Sequence, residues 1–350
     1  MTDRPGTTGV RERHRFDEAA LAAYLTRSLP GFRGPVAVRQ FSGGQSNPTF
    51  HLAAQDGEYV LRKKPPGTLL PSAHAIDREY RVLTALQGSG VPVPRARLWC
   101  EDASIIGTPF YVMDYQPGRI FLDPLLPGMS PPERRAIYDG MNAALAALHA
   151  FDWRAAGLAD FGRPEKYVER QVARWSKQYA ASRTDDVPAM DRLQQWLASH
   201  APAQDLTGIA HGDFRLPNLI FHQIEPRVVA ILDWELSTLG HPFADLAYNC
   251  LGYVLPAGHE ILNGFVGADI AALGIPSQSD YLSAYARRSG RDAAAEFPFF
   301  IAFSLFRIAA IQQGVYARAL AGNAAAANAA RFGESYRLVA ETGWKLVSGL

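Results

Sequence analysis

The sequence predicts an α+β protein with two lobes: a small, mainly antiparallel β lobe followed by a larger helical lobe. Three observations predict this fold class. Short strand-like segments separated by turns fill residues 35–115, helical patterns dominate residues 116–350, and one short β hairpin interrupts those helices. With 350 residues, 48% of them hydrophobic and 20% charged, the chain is long enough to build two packed lobes.

Residues 1–34 are predicted to form a tail and one helix. The first 15 residues are polar and are expected to be mobile. The segment FDEAALAAYLTRSL then spaces its apolar residues at helical intervals, and Pro30 and Gly31 end the pattern. The polar start lacks the apolar stretch of a secretory signal, and the two cysteines form no CxxC pair, so we expect a cytoplasmic protein.

Residues 35–115 predict the β lobe, because short β-forming runs alternate with turns and enclose a single helical pattern. The segments are, in order, the strands VAVRQF, PTFHLAA and EYVLRK, the helix SAHAIDREYRVLTAL, and the strands VPVPRARLWCED and TPFYVMDY.

Residues 116–350 predict the helical lobe. Ser130, followed by proline and Glu133, is a strong helix-start signal. The longest apolar stretch, FPFFIAFSLFRIAAI, is interrupted by Arg307 and is expected to be too short for a bilayer, so it predicts a buried core helix and no membrane partner. Arg307 itself is expected to form an internal ion pair. The formal net charge of +1 gives no reason to expect a nucleic-acid partner.

The segment HGDFRLPNLIFHQIEPRVVAILDWE, residues 211–235, places polar groups between β-forming apolar runs. Pro217 denies the stretch around Asp213 and Asn218 a regular helix, so we expect a loop. The runs LIF and VVAIL predict a hairpin that holds this loop close to Asp233. The alternative is that Asp213 and Asn218 are ordinary turn residues.

HGDFRLPN fits the pattern H-x-D-x-[KR]-x-x-N, and AILDWE places an aspartate 20 positions later. Both resemble the protein-kinase-like superfamily. With Gly212 in place of arginine and D-W-E in place of D-F-G, the chain resembles the aminoglycoside phosphotransferase and choline kinase branch, from about Phe41 to the C-terminal helices. The resemblance implies a two-lobed protein-kinase-like fold and an ATP- and magnesium-dependent phosphotransferase acting on a hydroxyl of a small metabolite.

The resemblance also implies roles for individual residues of this loop. Asp213 would orient the attacking hydroxyl and take its proton. Asn218 and Asp233 would hold magnesium, a cation that prefers oxygen ligands. Arg215 would meet the charge of the transferring phosphoryl group. His211 and Asp245 are expected to brace the loop, and Glu235 is either a second metal contact or a solvated acid.

The nucleotide would be held by the β lobe. In FSGGQSNPTF the residues Ser42, Gly43, Gly44 and Ser46 are expected to cover phosphates with backbone N–H groups, although a plain hairpin turn is the alternative.

The strand YVLR places Arg62 where kinases carry lysine, and an arginine can contact phosphate oxygens bidentately. Glu79 is the helix carboxylate expected to pair with it, with a solvent-facing glutamate as the alternative. Backbone groups of Met113 to Tyr115 would bind adenine at the junction of the lobes.

The segments FSGGQSNPTF, YVLRKKPPG, LLPSAHAIDREYRVL and IGTPFYVMDY are similar to the kinase-like domains fused to acyl-CoA dehydrogenases in some animals. That subgroup is associated with phosphorylation of hydroxylated acids or their coenzyme A thioesters, so the resemblance makes a hydroxy acid or hydroxyacyl-CoA the first expectation for the acceptor. The alternative is a non-catalytic nucleotide or acyl-CoA binding module. The absence of D-F-G and A-P-E segments argues against a protein kinase.

Overall fold

The structure is a computed structural model that describes residues 6–43, 47–65, 75–202, 206–322 and 329–349. Strands dominate the first part of the chain and helices the second, which confirms the predicted α+β class. The strands of the described residues are β1 (Thr7–Thr8), β2 (Ala37–Phe41), β3 (Thr49–Ala53), β4 (Glu58–Lys63), β5 (Ala96–Cys100), β6 (Phe110–Asp114), β7 (Gly208–Ala210), β8 (Leu219–Phe221), β9 (Val228–Ile231) and β10 (Thr238–Gly240).

The helices pack mainly in the second lobe. They are α1 (Glu18–Ser28), α2 (Ile76–Leu86), α3 (Pro131–Ala150), α4 (Tyr167–Ala181), α5 (Pro188–Ser199), α6 (Pro242–Asn249), α7 (Ile270–Leu273), α8 (Gln278–Ser289), α9 (Phe297–Leu320) and α10 (Ala329–Val347). The predicted start of α3 is confirmed: Ser130 and Glu133 form a capping box in which the Ser130 N–H donates to Glu133 Oε2 at 2.7 Å.

The first lobe is an antiparallel sheet in the order β1-β2-β3-β4-β6-β5. Successive side chains of a strand point to opposite faces of the sheet. Leu61 and Val112 therefore pack in the cluster beneath α1, whereas Val60 and Tyr111 pack in the cluster that contains α2 and the helical lobe. Arg62, two residues after Val60, is directed by the same alternation toward the interior between the lobes.

The N-terminal segment is ordered by the edge of this sheet. In β1, Thr7 pairs with Phe41 and Thr8 pairs with Gln40 of β2, and the Arg11 N–H donates to Gln40 Oε1 at 3.0 Å. The prediction of a mobile tail is therefore wrong for residues 6–15. An edge strand offers unpaired backbone groups, and a short polar segment can pair with them without any apolar signal in its own sequence.

Helix α9 is the central helix of the second lobe. It runs unbroken through Arg307 for 24 residues, so the expectation that this stretch is too short for a bilayer is wrong. By length and composition alone it could cross a membrane, but 72% of its most apolar window is buried inside the protein. The predicted buried core helix is confirmed, and α10 packs along it.

Two small two-stranded sheets lie between the helices and hold the segment 211–235. Strands β8 and β9 form an antiparallel hairpin, as predicted, and β7 pairs antiparallel with β10. The linker between the lobes is attached to the β8–β9 hairpin, because Arg119 and Phe221 exchange two backbone hydrogen bonds of 2.8 Å. The preceding Gly118 approaches so closely that a Cβ there would lie 2.2 Å from the Phe221 carbonyl oxygen.

Candidate active site

The loop that contains Asp213 leaves β7 through a glycine that no other residue could easily replace. Gly212 has a φ of +86°, and a Cβ there would lie 3.0 Å from the carbonyl oxygen of Leu236. Both the backbone conformation and the close contact exclude a side chain. This explains in physical terms why glycine stands at this position of the pattern.

His211 and Asp245 brace the loop, as predicted. The His211 Nε2–H donates to the Leu232 carbonyl at 2.8 Å, so its Nδ1 can accept the Asp213 N–H at 3.2 Å. Asp245, at the buried start of α6, accepts the N–H groups of His211 and Gly212. Two consecutive backbone N–H groups at the start of the loop are therefore hydrogen-bonded to one carboxylate.

Asp245 is ionised although it is buried. Burial alone would raise the pKa of Asp245, but hydrogen bonds from His149 and the loop outweigh it and hold that pKa below its ordinary value. A carboxylate with a depressed pKa stabilises the fold above its unfolded-state pKa of about 4 and loses that contribution as the pH falls through the folded-state value.

We expect Asp245→Ala to lower the free energy of unfolding by about 2–5 kcal/mol at neutral pH, because two buried N–H groups lose their acceptor. Urea unfolding measures this difference, and it should shrink below about pH 4. Asp77→Ala, at an exposed position of α2, serves as the control. A loss for Asp245→Ala no larger than that of Asp77→Ala would contradict the brace.

Asp213, Asn218 and Arg215 converge at the end of the loop. Asn218 Nδ2 donates to the backbone oxygen of Asp213 at 2.8 Å and to its Oδ2 at 2.7 Å. Arg215 Nε lies 3.1 Å from the Asp213 carboxylate, and burial raises the pKa of the neighbouring Tyr248, which also faces that carboxylate. The predicted loop is present and contains one turn of 3-10 helix at Leu216–Asn218. The Asp213 carboxylate is 15% exposed, and its contacts with Asn218 and Arg215 orient it.

Arg62 joins the two lobes through three carboxylates. Its Nε lies 2.8 Å from Glu79 Oε2, and its Nη2 lies 3.0 Å from Asp233 Oδ1 and 3.4 Å from Glu235 Oε2. The predicted Arg62–Glu79 pair is confirmed. Burial alone would lower the pKa of Arg62, but Glu79 and the other carboxylates raise it above its ordinary value, so the guanidinium stays charged.

Glu79 is fixed from its other sides as well. It is 2% exposed, and it accepts the Tyr111 hydroxyl and Asn47 Nδ2, each at 3.0 Å. Asn47 follows the glycine-containing loop, and nothing in the sequence alone singled it out. A buried carboxylate with this many donors is a rigid support for the arginine that pairs with it.

Asp233 and Asn218 present oxygen atoms that fit a hard cation. Asp233 follows β9 with a φ of +65°, which turns its 38% exposed side chain toward Arg62. The amide nitrogen of Asn218 donates its hydrogen bonds to Asp213. Its amide oxygen is therefore the atom that could coordinate magnesium. Within the described ranges no three His, Cys, Asp or Glu residues form a metal cluster. One amide and one carboxylate suit magnesium that is also held by phosphates.

The expected phosphate-covering loop begins at Ser42. Both the N–H and the hydroxyl of Ser42 donate to the Gly6 carbonyl at 3.0 Å, so the N-terminal segment holds the start of the loop. A Cβ on Gly43 would meet nothing within 4 Å. Gly44 and Ser46 lie outside the described residues. Phosphate binding here stays a prediction.

Met113 and Tyr115 lie at the end of β6, where the sheet meets the linker. Met113 pairs with Val60 of β4. The Tyr115 N–H donates to the Glu58 carbonyl at 3.2 Å and is therefore engaged within the sheet. Binding of adenine by this segment stays a prediction.

A cavity of about 320 Å³ opens beside the loop. Aliphatic and aromatic side chains supply most of its wall, and the described residues that line it include no aspartate or glutamate. It is lined by Leu122, Pro124, Tyr138, Met141, Arg215, Leu216, Pro217, Tyr248, Asn249, Leu251, Gly252, Leu255, Ile261, Leu262, Asn263, Phe265, Ile308, Ile311 and Gln312. Apart from Arg215, no sequence pattern identified these residues as neighbours, because they come from separate helices and loops.

Among the described residues no carboxylate pairs with Arg307, so the predicted ion pair is wrong. Its Nη2 donates instead to the Gly212 carbonyl at 2.7 Å, and its guanidinium lies over the rings of Trp175 and Tyr248. A backbone oxygen and two aromatic faces can accommodate a partly buried arginine without a carboxylate.

The sheet lobe, the helical lobe and the residues gathered between them define a protein-kinase-like fold. The sequence pattern of the phosphotransferase enzyme family matches residues 37–289. The chain belongs to that family, which confirms the resemblance seen in its motifs.

Three similar proteins illustrate the relationship. Acyl-CoA dehydrogenase family member 10 of Mus musculus is 50% identical over 342 residues, which are 97% of this chain and 32% of that protein. A crystal structure from Ralstonia eutropha, provisionally described as an aminoglycoside phosphotransferase, is 48% identical with a TM-score of 0.89, covering 96% of this chain and 99% of that one. A spectinomycin phosphotransferase in complex with ADP and spectinomycin shares only the fold, at 11% identity and a TM-score of 0.59, covering 94% and 98% of the two chains. The chain spans between about a third and a half of the length of the curated relatives it matches.

Proposed function

We propose that this protein transfers the terminal phosphoryl group of ATP to a hydroxyl of a small metabolite, with magnesium. The observation that carries the proposal is the position of Arg62, which pairs with Glu79 of its own lobe at 2.8 Å and with Asp233 of the other lobe at 3.0 Å. It brings a phosphate-binding cation beside a carboxylate suited to magnesium. Family membership and the ADP named for the spectinomycin phosphotransferase support the same reaction class.

Asp213 is the proposed base. It is oriented by Asn218 and can accept the proton of the acceptor hydroxyl while that oxygen forms its bond to the terminal phosphorus of ATP and the bond from that phosphorus to ADP breaks, so that ADP leaves. Arg215, whose pKa Asp213 keeps raised against the lowering effect of burial, offsets negative charge on the transferred group. Magnesium, held by Asn218 and Asp233, would supply neutralisation of the phosphate charge.

The nucleotide would occupy the sheet lobe. Arg62 is proposed to contact its phosphates, with Glu79 keeping the guanidinium in place. The segment from Ser42 to Ser46 would cover the phosphates, and the backbone of Met113 to Tyr115 would face the base. Because Ser42 is hydrogen-bonded to Gly6, the N-terminal segment is expected to support this half of the site.

The acceptor is proposed to carry an apolar body. The cavity beside Arg215 has a mainly aliphatic and aromatic wall without a described carboxylate, so it offers no partner for the several ammonium groups of an aminoglycoside. A hydroxy acid or a hydroxyacyl-CoA fits better, because its hydrocarbon chain can pack against such a wall and its negative charge is compatible with Arg215. The acyl-CoA dehydrogenase names of the relatives support the same class.

A panel of acceptors tests the proposal. The protein is incubated with labelled ATP, magnesium and, separately, straight-chain hydroxy acids, their coenzyme A thioesters, choline and an aminoglycoside. We expect label on a hydroxy acid or thioester, with turnover abolished by EDTA. Label on choline or the aminoglycoside would overturn the assignment of the acceptor, and label on none, with nucleotide still bound, would indicate a non-catalytic binding module.

A further inference from the structure

Arg307 reaches from the middle of α9 to the loop that contains Asp213. Its Nη2 donates to the Gly212 carbonyl at 2.7 Å. Its guanidinium carbon lies 5.5 Å from the ring centre of Trp175 on α4 and 5.3 Å from that of Tyr248 on α6. Two rings from different helices therefore confine the guanidinium, so its hydrogen bond has a defined direction.

The carbonyl that Arg307 binds belongs to the peptide group that leads into Asp213. A peptide group is planar, so the Gly212 oxygen and the Asp213 N–H move as one unit. Arg307 binds the oxygen, and His211 Nδ1 accepts the N–H at 3.2 Å. Glycine leaves this peptide unusually free to rotate, and the two bonds at its opposite ends remove that freedom.

The same helix forms part of the wall of the cavity. Ile308, Ile311 and Gln312 line it within the turn and a half after Arg307. A molecule packed against these side chains touches the helix whose arginine holds the Gly212 carbonyl. The cavity wall and the orientation of Asp213 are thus connected through one rigid element.

We propose that Arg307 is a positioning residue for phosphoryl transfer: by holding the Gly212 peptide against α9, it aims Asp213 at an acceptor that lies in the cavity. The inference rests on the proposed function for its kinetic consequence. Arg307 is expected to affect the chemical step rather than nucleotide binding. It contacts the loop that contains Asp213 in the helical lobe, whereas the nucleotide is assigned to the sheet lobe.

The kinetic test compares Arg307→Met and Arg307→Lys with Arg318→Met, an exposed position near the end of the same helix. The probes are an acceptor labelled in the panel and, without acceptor, magnesium-dependent hydrolysis of ATP. We expect Arg307→Met to lower kcat about 10²-fold, as misplacement of a catalytic group does, with the KM for ATP unchanged. Lysine at this position keeps a hydrogen-bond donor but lacks the planar guanidinium group. The kcat of Arg307→Lys should therefore be about tenfold higher than that of Arg307→Met.

Hydrogen–deuterium exchange of residues 209–219 provides a readout that does not need activity. Arg307→Met should exchange faster there, whereas Arg318→Met should match the unaltered protein. Unchanged kcat and unchanged exchange in Arg307→Met would overturn the inference, as would a loss of thermal stability with kcat unaffected below the transition. If Arg307→Met does not fold, full kcat and exchange protection in Arg307→Lys would also overturn it. If the unaltered protein labels no acceptor and hydrolyses no ATP, the proposed function fails, and the exchange measurement still decides whether Arg307 holds the loop.

Discussion

Asp213→Asn is expected to lower kcat by about two to four orders of magnitude, the range typical for loss of a general base. Asparagine has nearly the same shape, and its amide oxygen can still accept the hydrogen bond that Asn218 donates at 2.7 Å. It cannot take a proton, so the acceptor hydroxyl must attack without that assistance. Steady-state release of ADP, measured with an acceptor identified by the panel, gives kcat and the KM for ATP.

The matched control is Asp186→Asn, since Asp186 has a 92% exposed side chain in a surface pair with Arg183. Both variants remove one negative charge, but only Asp213 lies in the proposed site. We expect normal kcat for Asp186→Asn and an unchanged KM for ATP in both. Near-normal turnover in a folded Asp213→Asn protein would remove the residue from its proposed role.

Asp233→Ala is expected to abolish magnesium-dependent binding of nucleotide, with a loss of affinity of more than about 10²-fold. The substitution removes a hard oxygen ligand and also the carboxylate that lies 3.0 Å from Arg62 Nη2. Titration calorimetry with ADP, in the presence and absence of magnesium, separates the metal-dependent part of the affinity from the rest. Only the metal-dependent part should disappear.

Glu235→Ala is the informative comparison, because Glu235 contacts the same Arg62 nitrogen at the longer distance of 3.4 Å. If the loss in Asp233→Ala came only from a weakened Arg62, Glu235→Ala would show a smaller loss of the same kind with and without magnesium. A selective effect in Asp233→Ala identifies the ligand. Equal magnesium-dependent heats for Asp233→Ala and the unaltered protein would contradict the assignment.

The sequence predicted the parts of the site whose residue types follow from the chemistry. Asp213, Asn218 and Asp233 stand in a spaced pattern that fits their proposed roles, since a base and two oxygen ligands would have to lie on one loop and one hairpin. The resemblance of YVLR to the kinase strand, together with the order of strand and helix, paired Arg62 with Glu79, and the structure contains that ion pair. These inferences depend on residue types at fixed spacings and on the order of elements, which a single sequence carries.

Two kinds of feature were not revealed by the sequence: contacts between residues far apart in the chain, and strands too short to show an alternating pattern. Arg307 and Gly212 are 95 positions apart, and a carbonyl partner leaves no side-chain signal in the sequence. Strands β7 and β10 have three residues each, too few for a recognisable alternation. The order of residues 6–15 depends on the edge of β2, which exists only after the sheet has formed.

The attachment of Arg119 to Phe221 restricts where the cleft can bend. Since two backbone hydrogen bonds fasten the chain there and Gly118 has no space for a side chain, a swing of one lobe has to be absorbed upstream, at Gln116 and Pro117. The β8–β9 hairpin, which carries Asn218 and Asp233 at its open end, then moves together with the last segment of the connection. Opening would separate the sheet from an intact block, so a single pivot would let the proposed nucleotide enter and leave without disrupting the residues proposed to bind its phosphates.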